Sequence, residues 1–185
     1  DAIHEIVAGL TNLPRGPDDD ARGEALRQLL TRHPALAKEE PFLRDLLELP
    51  QPTEGDALYA AMDNAVRQRG RAAAVVRLLE AACAGSPVLV IVEDVHWADP
   101  VTLDHLAALT RGAGTMAAVL ALTSRVAGDP LDAAWRGSVQ GSPLLTIDLG
   151  PLGTKDALAL AGGFLSAPQA FARKCVERAA GNPLF

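Results

Sequence analysis

The chain is poor in aromatic residues and in cysteine, and each shortage limits the classes of protein to which it can belong. Aromatic residues make up 4% of the 185 positions, so the core must be built from aliphatic side chains. The two cysteines, Cys83 and Cys175, lie far apart and form no C-x-x-C pair. This spacing is typical neither of a structural zinc site nor of a disulfide framework. We therefore expect two reduced, packed thiols.

The chain also lacks an excess of positive charge and any long apolar run. Its formal net charge of −6 argues against nucleic acid as a direct partner, because neutralising phosphates requires a basic face. No apolar run approaches the roughly 18 residues of a membrane-spanning helix, and no signal peptide opens the chain. We expect a cytoplasmic domain that contacts neither nucleic acid nor membrane. The hydrophobic share of 49% is enough for one sizeable core.

A phosphate-binding loop is also absent from the sequence. The pattern G-x-x-x-x-G-K-[ST], whose backbone amides and lysine hold nucleotide phosphates, does not occur, and the chain contains no Gly-Lys pair. By itself, the chain is therefore not expected to hold a nucleotide well.

An aliphatic run that ends in two carboxylates is the most informative feature present. Residues Val88 to Val92 lead directly into Glu93 and Asp94. Because no polar residue interrupts the run, it predicts a strand covered on both faces, as in a parallel sheet between helices. Ligands of such sheets bind outside the carboxyl ends of the strands. Two carboxylates at this place can hold a hydrated divalent cation and deprotonate a water, which are the requirements of phosphoryl transfer. The alternative is a solvated acidic loop without a role.

The segment around this run alternates between strands and helices. Strands are predicted at about 88–92, 117–122 and 143–149. Asp99 followed by proline predicts a helix start between the first two strands, and Asp129 followed by proline predicts a short helix before the third. This alternation is typical of a parallel sheet with right-handed crossovers.

Helices are predicted before and after this alternation. In the front part, Asp20 is placed to cap a helix that stops before Pro34, and Gly70 is placed to separate two helices, at 57–68 and 72–84. In the tail, Gly181 is placed to end the last helix. The chain is thus divided into a helical segment, an α/β core and the start of a helical subdomain, at residues 1–85, 86–150 and 151–185.

Several motifs together resemble one protein family. The octapeptide Glu93–Pro100 resembles the Walker B segment of the STAND class of signalling ATPases, relatives of the AAA proteins found in large bacterial transcriptional regulators and multidomain adenylate cyclases. Three further segments, in the family's order, resemble its sensor strand, the passage into its lid and the glycine-x-proline motif of that lid: Leu120–Arg125, Leu149–Leu152 and Gly181–Phe185. The similarity spans about Ser86 to Phe185.

This resemblance implies a P-loop NTPase-like three-layer α/β core with a short, truncated parallel sheet, N-terminal helices and the start of a helical lid. The family carries its phosphate loop upstream of every segment matched here, so we expect a piece of a longer protein. The parent is expected to be an ATP-binding and ATP-hydrolysing switch in signal transduction, with ATP and Mg²⁺ as cofactors, and this piece to be inactive alone. The alternative is a non-enzymatic scaffold or oligomerisation module with a vestigial acidic pair.

The resemblance also assigns roles to the acidic pair. Glu93 aligns with the residue that holds magnesium through water, and Asp94 with the acid that orients the attacking water. The order Glu-Asp reverses the Asp-Glu of many AAA proteins, so which residue holds the metal stays open. A histidine nearby, His96, could join these acids in a metal site, although its spacing matches no common ligand pattern. Trp97 is expected to pack beneath the loop and to fix the orientation of the acids.

Arg125 and the lid motif also take roles from the resemblance. Arg125 resembles the sensor of the γ-phosphate, a cation placed where charge must be neutralised; the alternative is a surface arginine paired with Asp129. Gly181, Asn182 and Pro183 resemble the part of the lid that contacts the nucleotide, and a plain helix stop is the alternative.

The expected truncation makes a prediction about the sheet. In the family's strand order, the phosphate-loop strand lies between the sensor strand and the last strand, so its absence opens a gap. Because unpaired strand edges recruit partners, we expect either that the last strand moves beside the sensor strand or that a second copy completes the sheet. The second option gives a homo-oligomer or a domain-swapped dimer.

Overall fold

The computed structural model describes residues 2–13, 18–164 and 169–184. It is a helix-rich α/β structure whose described residues form one two-stranded parallel sheet. The contacts divide the chain into two compact units, Asp1–Pro143 and Leu144–Phe185. No helix within the described ranges is both long enough and apolar enough to cross a bilayer. Phe185, the last residue of the proposed lid motif, lies outside the described residues.

The first unit contains seven of the helices in the described residues and both strands: α1 (Ala2–Thr11), α2 (Asp19–Arg32), α3 (Glu40–Leu46), α4 (Thr53–Ala61), α5 (Asn64–Cys83), β1 (Val88–Val92), α6 (Pro100–Ala113), β2 (Ala118–Leu122) and α7 (Ala133–Ser138). Short 3₁₀ turns follow α2 and β1, at Pro34–Glu39 and Val95–Trp97. The second unit contains α8 (Thr154–Phe164) and α9 (Gln169–Ala179).

The sheet has two strands where three were predicted. β1 and β2 pair in parallel, in a register that runs from Val88 opposite Ala118 to Val92 opposite Leu122, and α6 forms the crossover. The predicted third strand at 143–149 is wrong, because those residues form neither helix nor strand. A strand exists only when its backbone pairs with a neighbour, and the described residues place no strand beside this segment.

The expectation that β1 is covered on both faces is also wrong. Val90 and Val92 are buried, whereas Leu89 and Ile91, which alternate with them along the strand, are 61% and 59% exposed. Successive side chains of a strand point to opposite faces, so one face of the sheet packs on the core and the other is open. The unbroken aliphatic run therefore does not by itself imply two covering layers.

The core of the first unit is aliphatic, as the shortage of aromatic residues predicts. Helices from the front of the chain share it with β1 and α6, since residues of all these elements belong to one buried cluster. Its fully buried side chains include Ile3, Val7, Leu26, Leu43, Leu78, Leu106 and Leu109. The helical front and the strand-containing segment are thus stabilised by the same buried surface.

Two helix starts lie at other residues than predicted. Asp18 rather than Asp20 caps α2: its side chain accepts a hydrogen bond of 3.0 Å from the Ala21 amide. In a run of three aspartates each has the right chemistry, and the one with extended backbone takes the cap. Likewise Asp132 rather than Asp129 caps α7, since the Asp129 carboxylate accepts from a nearby amide in the preceding turn.

Gly70 does not break the helix as predicted. α5 runs through it without interruption, and a Cβ placed on Gly70 would collide with the ring of Phe42. The glycine therefore permits close packing of an aromatic ring from α3. The break lies at Asp63 instead, whose side chain caps α5 by accepting from the Val66 amide at 2.7 Å.

Candidate functional site

The acidic pair lies immediately after β1, at the carboxyl end of the parallel sheet. Glu93 and Asp94 are both exposed. Asp94 has left-handed backbone angles, φ 55° and ψ 42°, which aspartate tolerates better than most residues. This conformation turns the chain out of the strand and into the 3₁₀ turn Val95–Trp97.

Thr123, the first residue after β2, holds this turn in place. The Asp94 amide donates to Thr123 Oγ1 at 3.0 Å, and the Val95 amide donates to the Thr123 carbonyl at 2.9 Å. The Thr123 amide in turn donates to the Val92 carbonyl at 3.0 Å. Thr123 was not among the residues predicted to form the site. The available signal was a hydroxyl residue at the carboxyl end of the next parallel strand.

A shallow pocket of about 210 Å³ opens beside the acidic pair. Its lining includes both acids, an apolar part and the start of α6: Ala2, Val92, Glu93, Asp94, Val95, Trp97, Ala98, Asp99 and Thr102. Exposed carboxylates on a concave surface can hold a divalent cation through its water shell, as Mg²⁺ prefers. The described residues contain no group of three or more His, Cys, Asp or Glu side chains arranged for direct metal binding. An ion held here would therefore keep several waters or take oxygens from a bound substrate.

The start of α6 at the pocket is as predicted. Asp99 caps the helix by accepting from the Thr102 amide at 2.7 Å, and Pro100 occupies the first helical position. That backbone hydrogen bond holds the pKa of Asp99 below its ordinary value. Because the carboxylate is engaged by the helix, Asp99 serves mainly to orient the α6 terminus at the pocket.

Arg125 is exposed and is not brought into contact with the acids. Among the ion pairs of the described residues, none joins Arg125 to Glu93, Asp94 or Asp129. The alternative surface pair with Asp129 is therefore absent as well. The sensor role of Arg125 stays a prediction.

Trp97 does not lie where it was expected in this loop. Trp97 is 78% exposed at the pocket, so the prediction that it packs beneath the loop is wrong. The side chain of His96 is only 7% exposed, and its Nδ1 lies 3.8 Å from Asp94 Oδ1. Neither ring nitrogen has a hydrogen-bond partner among the described residues. In so short a turn, Val95 and His96 take the inward positions, and the indole of Trp97 stays at the surface. The indole packs against the imidazole of His96, with 5.1 Å between the ring centroids.

The proposed lid motif lies in the second unit, at the end of α9. Gly181 has φ +82°, and a Cβ placed there would lie 2.6 Å from Pro151 Cβ. The Gly181 carbonyl accepts from the Leu152 amide at 2.8 Å, which ties the end of α9 to the segment before α8. Asn182 Oδ1 accepts from the Leu184 amide at 3.0 Å, and Pro183 is exposed. This geometry accounts for Gly181 as a helix stop with tight packing, and the nucleotide role of the motif stays a prediction.

Comparisons with known proteins assign no family. No family model matches the chain, and no solved structure matches it. A curated relative is an uncharacterized protein of Rhizobium meliloti (strain 1021), 36% identical over 98 residues. The match covers 51% of this chain and 9% of the relative, so the chain spans only a small part of the length of that protein.

Proposed function

We propose that this chain is part of a nucleotide-dependent signalling switch of the STAND and AAA type, built on a P-loop NTPase-like α/β core. One observation carries the proposal. Glu93 and Asp94 leave β1 at the carboxyl edge of a parallel sheet, and Thr123 of the neighbouring strand end holds their loop at 3.0 Å. In α/β sheets of this kind, the crevice at that edge is where ligands bind.

The proposal assigns a role to each residue of the site. Glu93 and Asp94 would hold Mg²⁺ through its water shell, and one of the two would orient the attacking water. Arg125 would neutralise negative charge on the transferred phosphoryl group. Gly181, Asn182 and Pro183 would contact the nucleotide from the lid. Bound ATP and Mg²⁺ would supply the phosphoanhydride and the cation that shields it.

The output of such a switch would come from a domain attached to this chain. Binding and hydrolysis would change the arrangement of core and lid, and an attached domain would report that change. The chain contains no Gly-Lys pair, so it lacks the loop that supplies most contacts to the phosphates. Tight binding of ATP therefore requires a longer polypeptide that includes such a loop.

ATP turnover by an N-terminally longer form that includes a Gly-Lys-Ser/Thr loop tests the proposal. Asp94→Asn removes the charge but keeps the shape, so we expect turnover to fall roughly 100-fold or more while Mg-ATP affinity stays within about threefold. Asp104→Asn, an exposed acid on α6 outside the pocket, is the matched control and should retain full turnover. Unchanged turnover in Asp94→Asn would remove the role assigned to that residue.

A second candidate function is a non-enzymatic scaffold or oligomerisation module. It is favoured by the open apolar face of the sheet, with Leu89, Ile91 and Val119 exposed. The two candidates predict different results for a longer polypeptide. A scaffold needs no phosphate loop upstream of this chain, and a longer polypeptide of this kind would show no ATP binding by calorimetry.

A further inference from the structure

His96 is a buried histidine whose ring nitrogens have no hydrogen-bond partner in the part of the chain that the structure describes. Its side chain is 7% exposed, and both Nδ1 and Nε2 are shielded from solvent. A buried polar group without a partner costs free energy, so native proteins seldom keep one without a reason. Such a ring is therefore expected to gain a partner when the neighbouring site is in use.

The Asp94 carboxylate is placed to become that partner. Its Oδ1 lies 3.8 Å from His96 Nδ1, about 1 Å beyond a normal hydrogen bond. The Asp94 side chain is 69% exposed and has room to turn, whereas the imidazole is fixed by burial and by the indole of Trp97. Hydrogen bonds of functional groups are often long before a ligand binds and shorten in the complex. A small rotation of the Asp94 side chain would close the contact.

The chemistry of imidazole selects the nitrogen that donates. A neutral imidazole has one N–H donor and one acceptor nitrogen, whereas a carboxylate only accepts. With the proton on Nδ1, the donor faces the carboxylate and Nε2 remains as a buried acceptor. With the proton on Nε2, the ring would bury an N–H group for which the described residues offer no acceptor. A hydrogen bond to Asp94 thus sets the tautomer of His96.

We infer that His96 is a positioning residue: its Nδ1 donates to one oxygen of Asp94 and leaves the other oxygen for a ligand in the pocket. The main chain of Asp94 is already held by Thr123, whose Oγ1 accepts from the Asp94 amide at 3.0 Å. His96 and Thr123 together fix the direction of the carboxylate. Carboxylates that hold a metal ion are commonly oriented by such hydrogen bonds. The effect on turnover rests on the proposed nucleotide function, whereas the hydrogen bond itself does not.

The ring ¹⁵N shifts of this chain test the hydrogen bond without nucleotide or metal. A long-range ¹H–¹⁵N spectrum at about pH 8, where an ordinary histidine is neutral, distinguishes the two tautomers. We expect His96 to show a protonated Nδ1 and an unprotonated Nε2, and His96→Phe identifies its signals by their loss. His105 is the reference for this pattern, because its Nδ1 lies 2.7 Å from the Val101 carbonyl and must donate to it.

Asp94→Gly removes the acceptor, and glycine adopts the φ of 55° at this position without strain. We expect the Nδ1–H pattern of His96 to be lost in this variant and that of His105 to remain. Glu93→Ala, the matched control, removes the same charge one residue earlier and should leave the His96 pattern unchanged. An Nε2–H tautomer in the unmodified chain, a pattern that persists in Asp94→Gly, or equal changes in both variants would overturn the inference.

Turnover by the N-terminally longer form gives the second readout. His96→Phe keeps an aromatic ring but removes both nitrogens, so we expect kcat to fall about 10- to 100-fold while KM for Mg-ATP stays within about threefold. His96→Asn places an amide donor near the position of Nδ1 and should restore most of kcat. His96→Gln, whose amide corresponds to Nε2, should not. Circular dichroism checks that all three variants remain folded.

The two readouts separate this inference from the proposed function. If Asp94→Asn lowers turnover but His96→Phe does not, the positioning role is wrong. Equal losses in His96→Asn and His96→Gln would mean that the ring acts by packing alone, which also contradicts it. A longer form without any ATP turnover would remove the proposed function, and the tautomer of His96 in this chain would still decide whether the hydrogen bond exists.

Discussion

The helical core of the first unit and the two-stranded sheet beside it are built from the same aliphatic residue types, yet they differ in how completely they are covered. Leu43 and Val75 are fully buried by helices of their own chain. Leu89 and Ile91, equally apolar, are more than half exposed. The difference shows that the helices of this unit bury their apolar side chains on most sides, while the sheet buries one face in the same core and leaves the other face open to solvent.

The largest effect is expected in the helical core, where a substitution tests how much the buried side chains stabilise this unit. Leu78→Ala on α5 removes a side chain that is only 1% exposed, so we expect a loss of about 3 kcal/mol in the free energy of unfolding through the cavity that remains. Urea denaturation measures it. Leu58→Ala, the exposed counterpart on α4, should change the free energy by less than about 0.5 kcal/mol. Equal losses in both variants would contradict the assignment of the core.

A smaller effect is expected at the junction of the two regions, where Asp99 starts α6. Asp99→Ala should cost about 1 kcal/mol, since the Thr102 amide loses its acceptor. The pKa of Asp99 is lower in the folded protein than its ordinary value. The carboxylate therefore stabilises the fold at neutral pH, and this contribution is lost as the pH falls through the folded-state pKa.

The difference between wild type and Asp99→Ala should consequently be constant above about pH 5 and should narrow below about pH 4. Denaturation curves recorded from pH 7 to pH 3 measure this dependence. Asp99→Asn, which can still cap the helix, should lose less stability. A difference that grows toward low pH would contradict the assigned cap.

Thr123→Val tests how firmly the acidic loop is attached to β2. The Asp94 amide loses its side-chain acceptor, and because the site is exposed, water replaces part of the bond. We expect a loss of about 0.5 kcal/mol in global stability. Hydrogen exchange at the Asp94 amide should accelerate more than exchange in the middle of β1. Thr123→Ser keeps the hydroxyl and should restore protection; failure to do so would show that Thr123 holds the loop by other means.

The smallest effect on folding is expected on the open face of the sheet. Ile91→Lys places a charge at a position whose side chain already faces solvent. The free energy of thermal unfolding of the monomer should therefore change by less than about 0.5 kcal/mol. Val92→Lys, one residue along on the buried face, should by contrast lower the free energy of unfolding by about 2 kcal/mol. A large loss in Ile91→Lys measured on the monomer would mean that this face is covered within the chain.

The features that the sequence predicted well depend on neighbours in the chain. The strand 88–92 follows from an unbroken aliphatic run, and the start of α6 follows from Asp99 and Pro100 placed side by side. The position of Glu93 and Asp94 at the carboxyl end of a parallel strand follows from the same local reasoning. Such signals need no knowledge of what packs across the molecule.

The features that were missed depend on distant residues. Gly70 was predicted to break a helix, but the ring of Phe42, 28 positions earlier, explains it. Thr123 holds the Asp94 loop from the neighbouring strand, 29 residues away. The exposure of Trp97 was likewise missed, because the 3₁₀ turn buries Val95 and His96 and leaves the indole at the surface.

The sequence by itself determined the aliphatic core, the two strands, the crossover helix and the acidic pair at the strand end, because composition, hydrophobic pattern and helix caps act over a few residues. The tertiary structure alone decided that β1 is covered on one face, that the segment 143–149 forms no strand and that a threonine holds the acidic loop. The physical reason is that burial and strand pairing each require a second segment to lie against the first. The pattern of residues along one segment does not show which other segment packs against it.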